Sequence, residues 1–289
     1  MSTGTSEFID STTADVFITE LWSNEAVVAR EQNLVFASLV DRRFEKSLTF
    51  GDTIHVPNVS NLTAQTKNKA NNTALSYETV SETQAANISI ATWEYSGIAV
   101  ESIVKVQANR DMLKLYAGKM GYALDLAVDD VLAGLVDDFT ANYTGTLAVS
   151  LTYDDVLTGN QQLDDANAPE DGRVIVASPA QIADWMKLDV FIRSDYTSVH
   201  GTVGAPAGNH YTRSWLGIPV YKSTNVEGSN GAGHDNAMFH KEALALVMQM
   251  KPTTHSMYDI DYLVDKVVME QLYGTAEIRD DHGSWLKGL

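Results

Sequence analysis

NRDMLKLYAGKMGYALDLAVDDVLAGLVDDF, residues 109–139, is the stretch from which the rest of the chain is read. It contains no Pro. Leu113, Ala117, Met120, Leu124, Ala127, Val128, Val131 and Leu135 recur at steps of three and four, the stripe of an amphipathic helix. Asp111, Lys114, Asp125, Asp129, Asp130 and Asp138 fill polar positions around it. Asn109 suits an N-cap, and Asp111 places a carboxylate in the first turn, where the helix dipole favours it. A single helix over the whole stretch spans ~45 Å. Gly118, Gly121 and Gly134 each cost about 1 kcal/mol relative to Ala in a helix interior, so they imply close packing or a bend. Something elongated must lie along such a helix. A long core helix of an ordinary α+β domain also satisfies the pattern, and from the helix by itself that is the commoner case.

A chain of 289 residues makes one large domain or two smaller ones. Hydrophobic residues are 44 % and charged residues 20 %, a globular balance. The net charge of −18 repels nucleic acid, whose phosphates call for clustered Lys and Arg. The chain has no cysteine, which removes disulfides, thiolate nucleophiles and Cys-based zinc sites. Residues 1–10 are small, polar and acidic, unlike a signal peptide, and no apolar run approaches membrane-spanning length. The sequons at Asn61, Asn71, Asn87 and Asn142 are then chance matches, and the expectation is a soluble chain made in a cytoplasm.

Along the chain, residues 14–30 have helical spacing, with Trp22 on the apolar face. Residues 47–59 read as extended, turning at Gly51-Asp52, and Pro57 disfavours a central strand position. Residues 60–86 are Asn-, Thr-, Ser- and Gln-rich and bury too little to order themselves. They make either a flexible loop or an extended two-stranded arm that a neighbouring subunit orders. Residues 87–106 are strand-like, with Gly97 as a bulge or kink. Residues 142–145 read as a turn and 146–151 as an alternating strand. Thr152-Tyr153-Asp154-Asp155 signals a helix start. Residues 173–177 make a buried strand, and Ser178-Pro179 caps and opens the next helix. Residues 196–210 are a Gly-rich loop, 218–221 a short strand, 227–235 an exposed tip, and 238–249 mix strand and helix signals. Residues 262–278 are a long β segment broken at Tyr273-Gly274, and 282–289 a short tail.

Candidate chemistry is sparse. His234 and His240 lie six apart with Asp235 between, which matches no zinc spacing. Asp129-Asp130 and Asp137-Asp138 recur on the long helix, where such pairs usually form a solvated face. No phosphate loop, nucleophile elbow or dinucleotide fingerprint occurs. The expectation is no catalytic, cofactor-binding or metal site. An α/β hydrolase or metal-dependent enzyme using His234, Asp235 and His240 stands as the alternative of another class.

The order of elements resembles the major capsid protein of tailed double-stranded DNA bacteriophages, the Hong Kong 97-type fold. Gly51-Asp52-Thr53-Ile54-His55-Val56-Pro57 resembles the start of that family's extended hairpin arm, and residues 109–139 its spine helix. Arg173-Val174-Ile175-Val176-Ala177-Ser178-Pro179 resembles the central strand and helix of its axial domain. Leu216-Gly217-Ile218-Pro219-Val220-Tyr221-Lys222-Ser223 is similar to its Gly-hydrophobic-Pro-Val strand, and Met238-Phe239-His240-Lys241-Glu242-Ala243-Leu244 to the segment after it. Residues 267–285, centred on Tyr273-Gly274 and Arg279, resemble its long closing strand.

The resemblance implies an α+β capsid fold with an axial domain, a peripheral domain containing the spine helix, and an extended hairpin arm. It divides the chain into an N-terminal arm (1–24), peripheral parts (25–46 and 87–145), the hairpin arm (47–86), the axial domain (146–254), a closing strand (255–278) and a return to the axial domain (279–289). It implies a structural, non-enzymatic subunit that self-assembles into pentamers and hexamers enclosing double-stranded DNA. A phage tail or decoration protein is the structural alternative. The implied partners are further copies of itself, a separate scaffolding protein, a portal and a decoration protein, with no specific nucleic-acid or membrane binding. The implied location is the virion capsid, assembled in the host cytoplasm. Inter-subunit contacts are expected at Lys67, Lys69, Asn71, Asn72 and Tyr77 in the arm. The family's covalent cross-link does not carry over, because no motif identifies an acceptor Asn.

Overall fold

The computed structural model describes residues 34–47, 51–58, 62–67, 75, 77–78, 83–107, 112–188, 211–229 and 231–289. In chain order these form helix α1 (Phe36–Leu39), a 3-10 helix (Arg43–Ser47), β1 (Thr53–Asn58), β2 (Thr83–Ser89), β3 (Thr92–Glu101), α2 (Ser102–Gln107), α3 (Met112–Ala133), β4 (Tyr143–Gly145) and α4 (Tyr153–Asp165). There follow β5 (Arg173–Ala177), α5 (Pro179–Trp185), β6 (Tyr211–Trp215), β7 (Ile218–Lys222), β8 (Gly228–Ser229), β9 (Gly233–His240), β10 (Leu244–Asp259), β11 (Val264–Glu277) and β12 (Gly283–Gly288).

Strand β5 is apolar at successive positions, so both of its faces need cover. Both receive it. Val174 and Val176 point into a core built from Phe36, Val128, Leu132, Phe139, Phe239 and Tyr273. Ile175 and Ala177 point the other way, into a core of Leu163, Trp185, Trp215, Val220 and Leu286. Around β5 runs a mixed sheet in the order β4-β12-β9-β5-β7-β6, with β8 added on β9. Helix α5 begins where Ser178 accepts from the Gln181 amide and Pro179 takes a first-turn position. Helix α4 begins with a full capping box between Thr152 and Asp155. Arg173 is buried but fully engaged: it donates to Asn160 Oδ1 (2.8 Å) and the carbonyls of Pro169 and Ala168, and pairs with Asp164 at 2.7 Å.

A second sheet, β10-β11-β3, is antiparallel throughout. Helix α3 covers one of its faces, and the buried Gln271 on β11 donates to the Leu124 carbonyl in mid-helix (2.9 Å). Strand β3 accordingly alternates between half-buried residues facing the helix and exposed residues facing away. Strands β1 and β2 form a two-stranded ribbon with a register shift at Val56/Pro57, as a proline without an N–H requires.

Several sequence expectations need correction. The long helix ends at Ala133, not residue 139. At Gly134 the chain passes into tight i→i−3 turns, Leu135 to Leu132 and Val136 to Ala133. The apolar periodicity runs on because Val136 and Phe139 are fully buried after the helix has stopped. Residues 109–111 lie outside the described residues, as does the helix expected over 14–30. Residues 143–145 are a strand instead of a turn. Residues 146–151 are a turn instead of a strand, where Ala148 takes a positive φ and Leu147 and Val149 are exposed. Gly274 does not break β11. It admits the Ser89 carbonyl, which would lie 2.4 Å from a Cβ there. The expected tail is β12, paired with β9 on one side and β4 on the other. The expected tip at 227–235 is exposed at residues 227–229, 231 and 232, and it also contains the β8–β9 pairing.

Candidate assembly surfaces

The arm is held at its base. Ile54, Val56 and Ala86 pack against the cluster of Ile88, Ile90, Ala245, Val247 and Ile278. The Ile90 amide donates to the Asp52 carbonyl (2.7 Å), and Gln249 Nε2 to the Gly51 carbonyl (2.9 Å). Beyond the ribbon, residues 62–67 are fully exposed and belong to no strand. The two limbs meet again where Glu78 accepts from the Thr63 amide (3.0 Å), the Thr63 hydroxyl and Gln65 Nε2. Those bonds, the hydroxyl's first, hold the Glu78 carboxyl below its ordinary range. Of the expected contact residues, Lys67 is exposed and Tyr77 is 85 % exposed. Lys69, Asn71 and Asn72 lie outside the described residues.

A second surface was not foreseen. The β10–β11 hairpin ends in a tip where Met257 is 65 % exposed, Ile260 76 %, Tyr262 74 % and Leu263 58 %. Ile103 and Val104 of α2 are exposed beside it. The Ser102 amide and hydroxyl both donate to the Leu263 carbonyl (3.0 Å each), which ties α2 to the tip. Asp259 pairs with Lys266, whose ammonium also stands 5.5 Å over the Tyr262 ring. The tip is therefore held in shape while its apolar side chains face outward. The signal in the sequence was Ile260-Asp261-Tyr262-Leu263, three large apolar residues at a turn, where polar ones are usual.

Two carboxylates are strongly affected by their surroundings. Asp129 of α3 is fully buried and accepts from the amides of Val35 (3.3 Å) and Ala37 (3.1 Å) and from Asn225 Nδ2 (3.2 Å). Burial still outweighs these bonds and pushes its carboxyl up. Glu277 is pushed up to about 7, first by burial and then by the negative field of Asp280 and Asp138.

The residues of the enzyme alternative do not converge. His234 and His240 are six positions apart on β9, about 20 Å along a strand, and Asp235 points to the opposite face. Asp235 accepts from Trp285 Nε1 (2.9 Å), and His240 stands 3.1 Å from the Asp171 carbonyl, its ring held below its ordinary pKa by burial. Among the described residues, no group of three or more His, Asp or Glu side chains is arranged to hold a metal ion.

No protein-family model matches the chain, and no curated protein matches its sequence. Solved structures do match its fold. One from Mycobacterium phage Che8 aligns with a TM-score of 0.76 at 24 % identity, over 93 % of this chain and 97 % of that one. The capsid structure of the cyanophage P-SCSP1u aligns at 0.71 with 18 % identity, over 95 % and 94 %. The capsid of a native GTA particle aligns at 0.65 with 10 % identity, over 98 % and 99 %.

The fold is that of a phage capsid. At these identities the likeness is carried by the order and pairing of elements, and little by side chains. The capsid fold read from the sequence as a resemblance thus holds in three dimensions, over almost the whole length of both chains.

Proposed function

We propose that this chain is a structural, non-enzymatic subunit of an icosahedral phage head. It self-assembles into pentamers and hexamers that enclose double-stranded DNA. The observation that carries the reading is the near-complete coverage in both directions against capsid structures, such as 95 % of this chain and 94 % of the cyanophage P-SCSP1u chain. The exposed arm and the apolar hairpin tip support it, since a shell subunit must offer surfaces that only neighbours cover. In this reading residues 47–86 overlay a neighbour, with Lys67, Lys69, Asn71, Asn72 and Tyr77 at the contact. Residues 146–254 form the axial part, and 87–145 with 255–278 the peripheral part. A separate scaffolding protein, a portal and a decoration protein are its partners. The shell forms in the host cytoplasm and ends in the virion. The net charge of −18 suits an inner wall that does not adhere to packaged DNA.

The test is sedimentation and negative-stain imaging of the purified chain, alone and with its co-expressed scaffold. Species far above 31.6 kDa and closed shells are expected. A monodisperse monomer under both conditions overturns the proposal.

A further inference from the structure

The chain passes between its two larger sheets at residues 241–243, from β9 to β10, and again at 278–282, from β11 to β12. These crossings are stitched together. The Ala243 carbonyl accepts from the amides of Ile278 (2.7 Å) and Arg279 (3.3 Å), and the Ala243 amide donates to the His240 carbonyl (2.8 Å). Each crossing has a buried histidine at its end nearer the β5 sheet, His240 on the first and His282 on the second. Their ring centroids are 6.3 Å apart.

His240 is held in one protonation state by its partners. The Glu242 amide lies 3.3 Å from Nδ1, and an amide N–H can only donate, so Nδ1 is bare. The Asp171 carbonyl lies 3.1 Å from Nε2 and can only accept, so Nε2 carries the hydrogen. The ring is therefore neutral, and it ties the 241–243 crossing to the loop before β5. The Lys241 amide adds a second tie to that loop, at the Gly172 carbonyl (3.3 Å). A Cβ at Gly172 would stand 3.1 Å from Nε2, so the loop is closed tightly on the ring.

We infer that His240 is a proton-released latch between the two sheets. Neutral, it closes the crossing onto the loop before β5; charged, it frees the crossing, and the sheets can turn against each other. The inference does not depend on the capsid reading. A second ring proton goes to Nδ1, where it faces the Glu242 N–H and the bond between them is lost. Burial is the largest influence on the ring and holds it below its ordinary 6.5, and His282 and Lys241 add to that. The Asp171 carbonyl and Glu242 pull the other way, but the Glu242 carboxylate is already paired with Arg43 (2.9 Å). Across the strand pair, Arg173 is engaged by Asp164, and the loop carboxylates Glu170 and Asp171 are exposed. His282 has a carboxylate partner of its own, Asp281 at 2.9 Å. The open crossing thus binds the proton more tightly than the closed one: closure is complete above about 6.5 and is lost as pH falls below it. Glu277, pushed up to about 7, favours the folded chain in acid and masks the latch in global unfolding, so the test is local.

Amide hydrogen exchange of the full, unassembled chain reads the latch. Corrected for the intrinsic pH dependence of exchange, protection of residues 241–243 should fall roughly tenfold from about pH 7.5 to about pH 5.5, while β5 keeps its own. His240→Gln offers one acceptor and one donor but takes no proton, so its protection should be the same at both pH values. Unchanged protection in the unmodified chain, or a His240→Gln chain that still loses it, overturns the inference. His282→Gln should leave the fall in place; its disappearance there would overturn the assignment to His240. Nitroxides at Asp165→Cys on α4 and Lys251→Cys on β10, both exposed, report the sheets in a chain with no other cysteine. Their distance distribution should broaden at the lower pH, and not in His240→Gln; lost protection with an unchanged distribution also overturns the inference. Nitrogen NMR of the unmodified chain keeps the test open where His240→Gln fails to fold. It should find Nδ1 bare at about pH 7.5 and the ring titrating below 6.5; a hydrogen on Nδ1, or titration above 6.5, overturns the latch.

Discussion

Strand β5 and the β10–β11 tip are both rich in large apolar residues, yet they end in opposite environments. Around β5 each apolar residue finds cover from its own chain: Phe239 and Tyr273 on one side, Trp185 and Trp215 on the other, all fully buried. At the tip, Met257, Ile260 and Tyr262 are mostly exposed although Asp259, Lys266 and Ser102 hold the backbone turn in place. The difference lies in what covers the sheet. The β5 strand has layers on both faces, whereas the turn closing β10 and β11 lies at the end of a sheet that helix α3 covers on one face. The first region stabilises the subunit by itself. The second is left uncovered by the described residues of its own chain, so the two should respond oppositely to substitution: one in folding, the other in assembly.

The largest effect is expected in the first region. Trp185 is fully buried, stacks edge-on against Trp215 with ring centroids 5.1 Å apart, and donates from Nε1 to the Leu151 carbonyl (3.1 Å). Trp185→Ala should cost about 3–5 kcal/mol in urea unfolding of the unassembled subunit. A cost below about 1 kcal/mol would mean that the β5 layers do not form one cooperative core. Asp129→Ala comes next. It strands the buried amides of Val35 and Ala37 and should cost about 2–3 kcal/mol, while Asp129→Asn, which keeps one acceptor, should recover part of the loss. Equal losses for the two variants would show that charge, not hydrogen bonding, is what Asp129 supplies.

How far each region was legible follows from the same contrast. The Val-Ile-Val run of β5 and the Ser178-Pro179 start of α5 are local signals that tertiary structure only had to accept. The end of α3 was not legible, because Val136 and Phe139 continue the apolar rhythm while the backbone turns. Phe139 lies so close to Gly283 that a Cβ there would stand 2.4 Å from its ring. Nothing local to Gly283-Ser284-Trp285-Leu286-Lys287-Gly288 says that a chain end becomes an inner strand, since its partners lie on β4 and β9. Asp129 looked like one more solvated carboxylate; only the approach of residues 35–37 and Asn225 buries it. At the surface, the arm was recognisable by its lack of anchors. The tip was not, because exposure of an apolar residue is a property of what fails to cover it.

A pH titration sharpens the folding side of the comparison. Glu277 is held at about 7 in the folded chain against an ordinary 4.5, so the folded state binds its proton more tightly than the unfolded state. Its stabilising contribution is complete below about 4.5 and is lost as pH rises through about 7. The urea midpoint of the unassembled subunit should therefore fall from about pH 5.5 to about pH 8. Asp129, Asp235 and Glu227 are pushed up as well, each first by burial, and contribute in the same direction. Glu277→Gln should flatten the upper part of that slope. An unchanged slope in this variant would remove Glu277 from the account.

The smallest effect on folding is expected at the tip, and it is the one that separates the two regions most sharply. Ile260 and Tyr262 contribute little to their own subunit, since most of their surface faces solvent and the turn is fixed by backbone bonds and by Asp259 with Lys266. The double change Ile260→Ser and Tyr262→Ser should shift folding stability by less than about 0.5 kcal/mol, as surface substitutions away from packed or hydrogen-bonded features do. Its effect on assembly should be large, because transferring those two side chains out of water is worth about 25 cal/mol per Å² of apolar area and the same loss recurs at every tip in a closed shell. Light scattering at a series of subunit concentrations measures this directly, as the lowest concentration at which shells appear. A rise of tenfold or more with unchanged unfolding would place the tip among the contacts between subunits. Unchanged assembly would mean that these apolar residues remain uncovered in the shell, and the contrast with β5 would then be one of exposure alone.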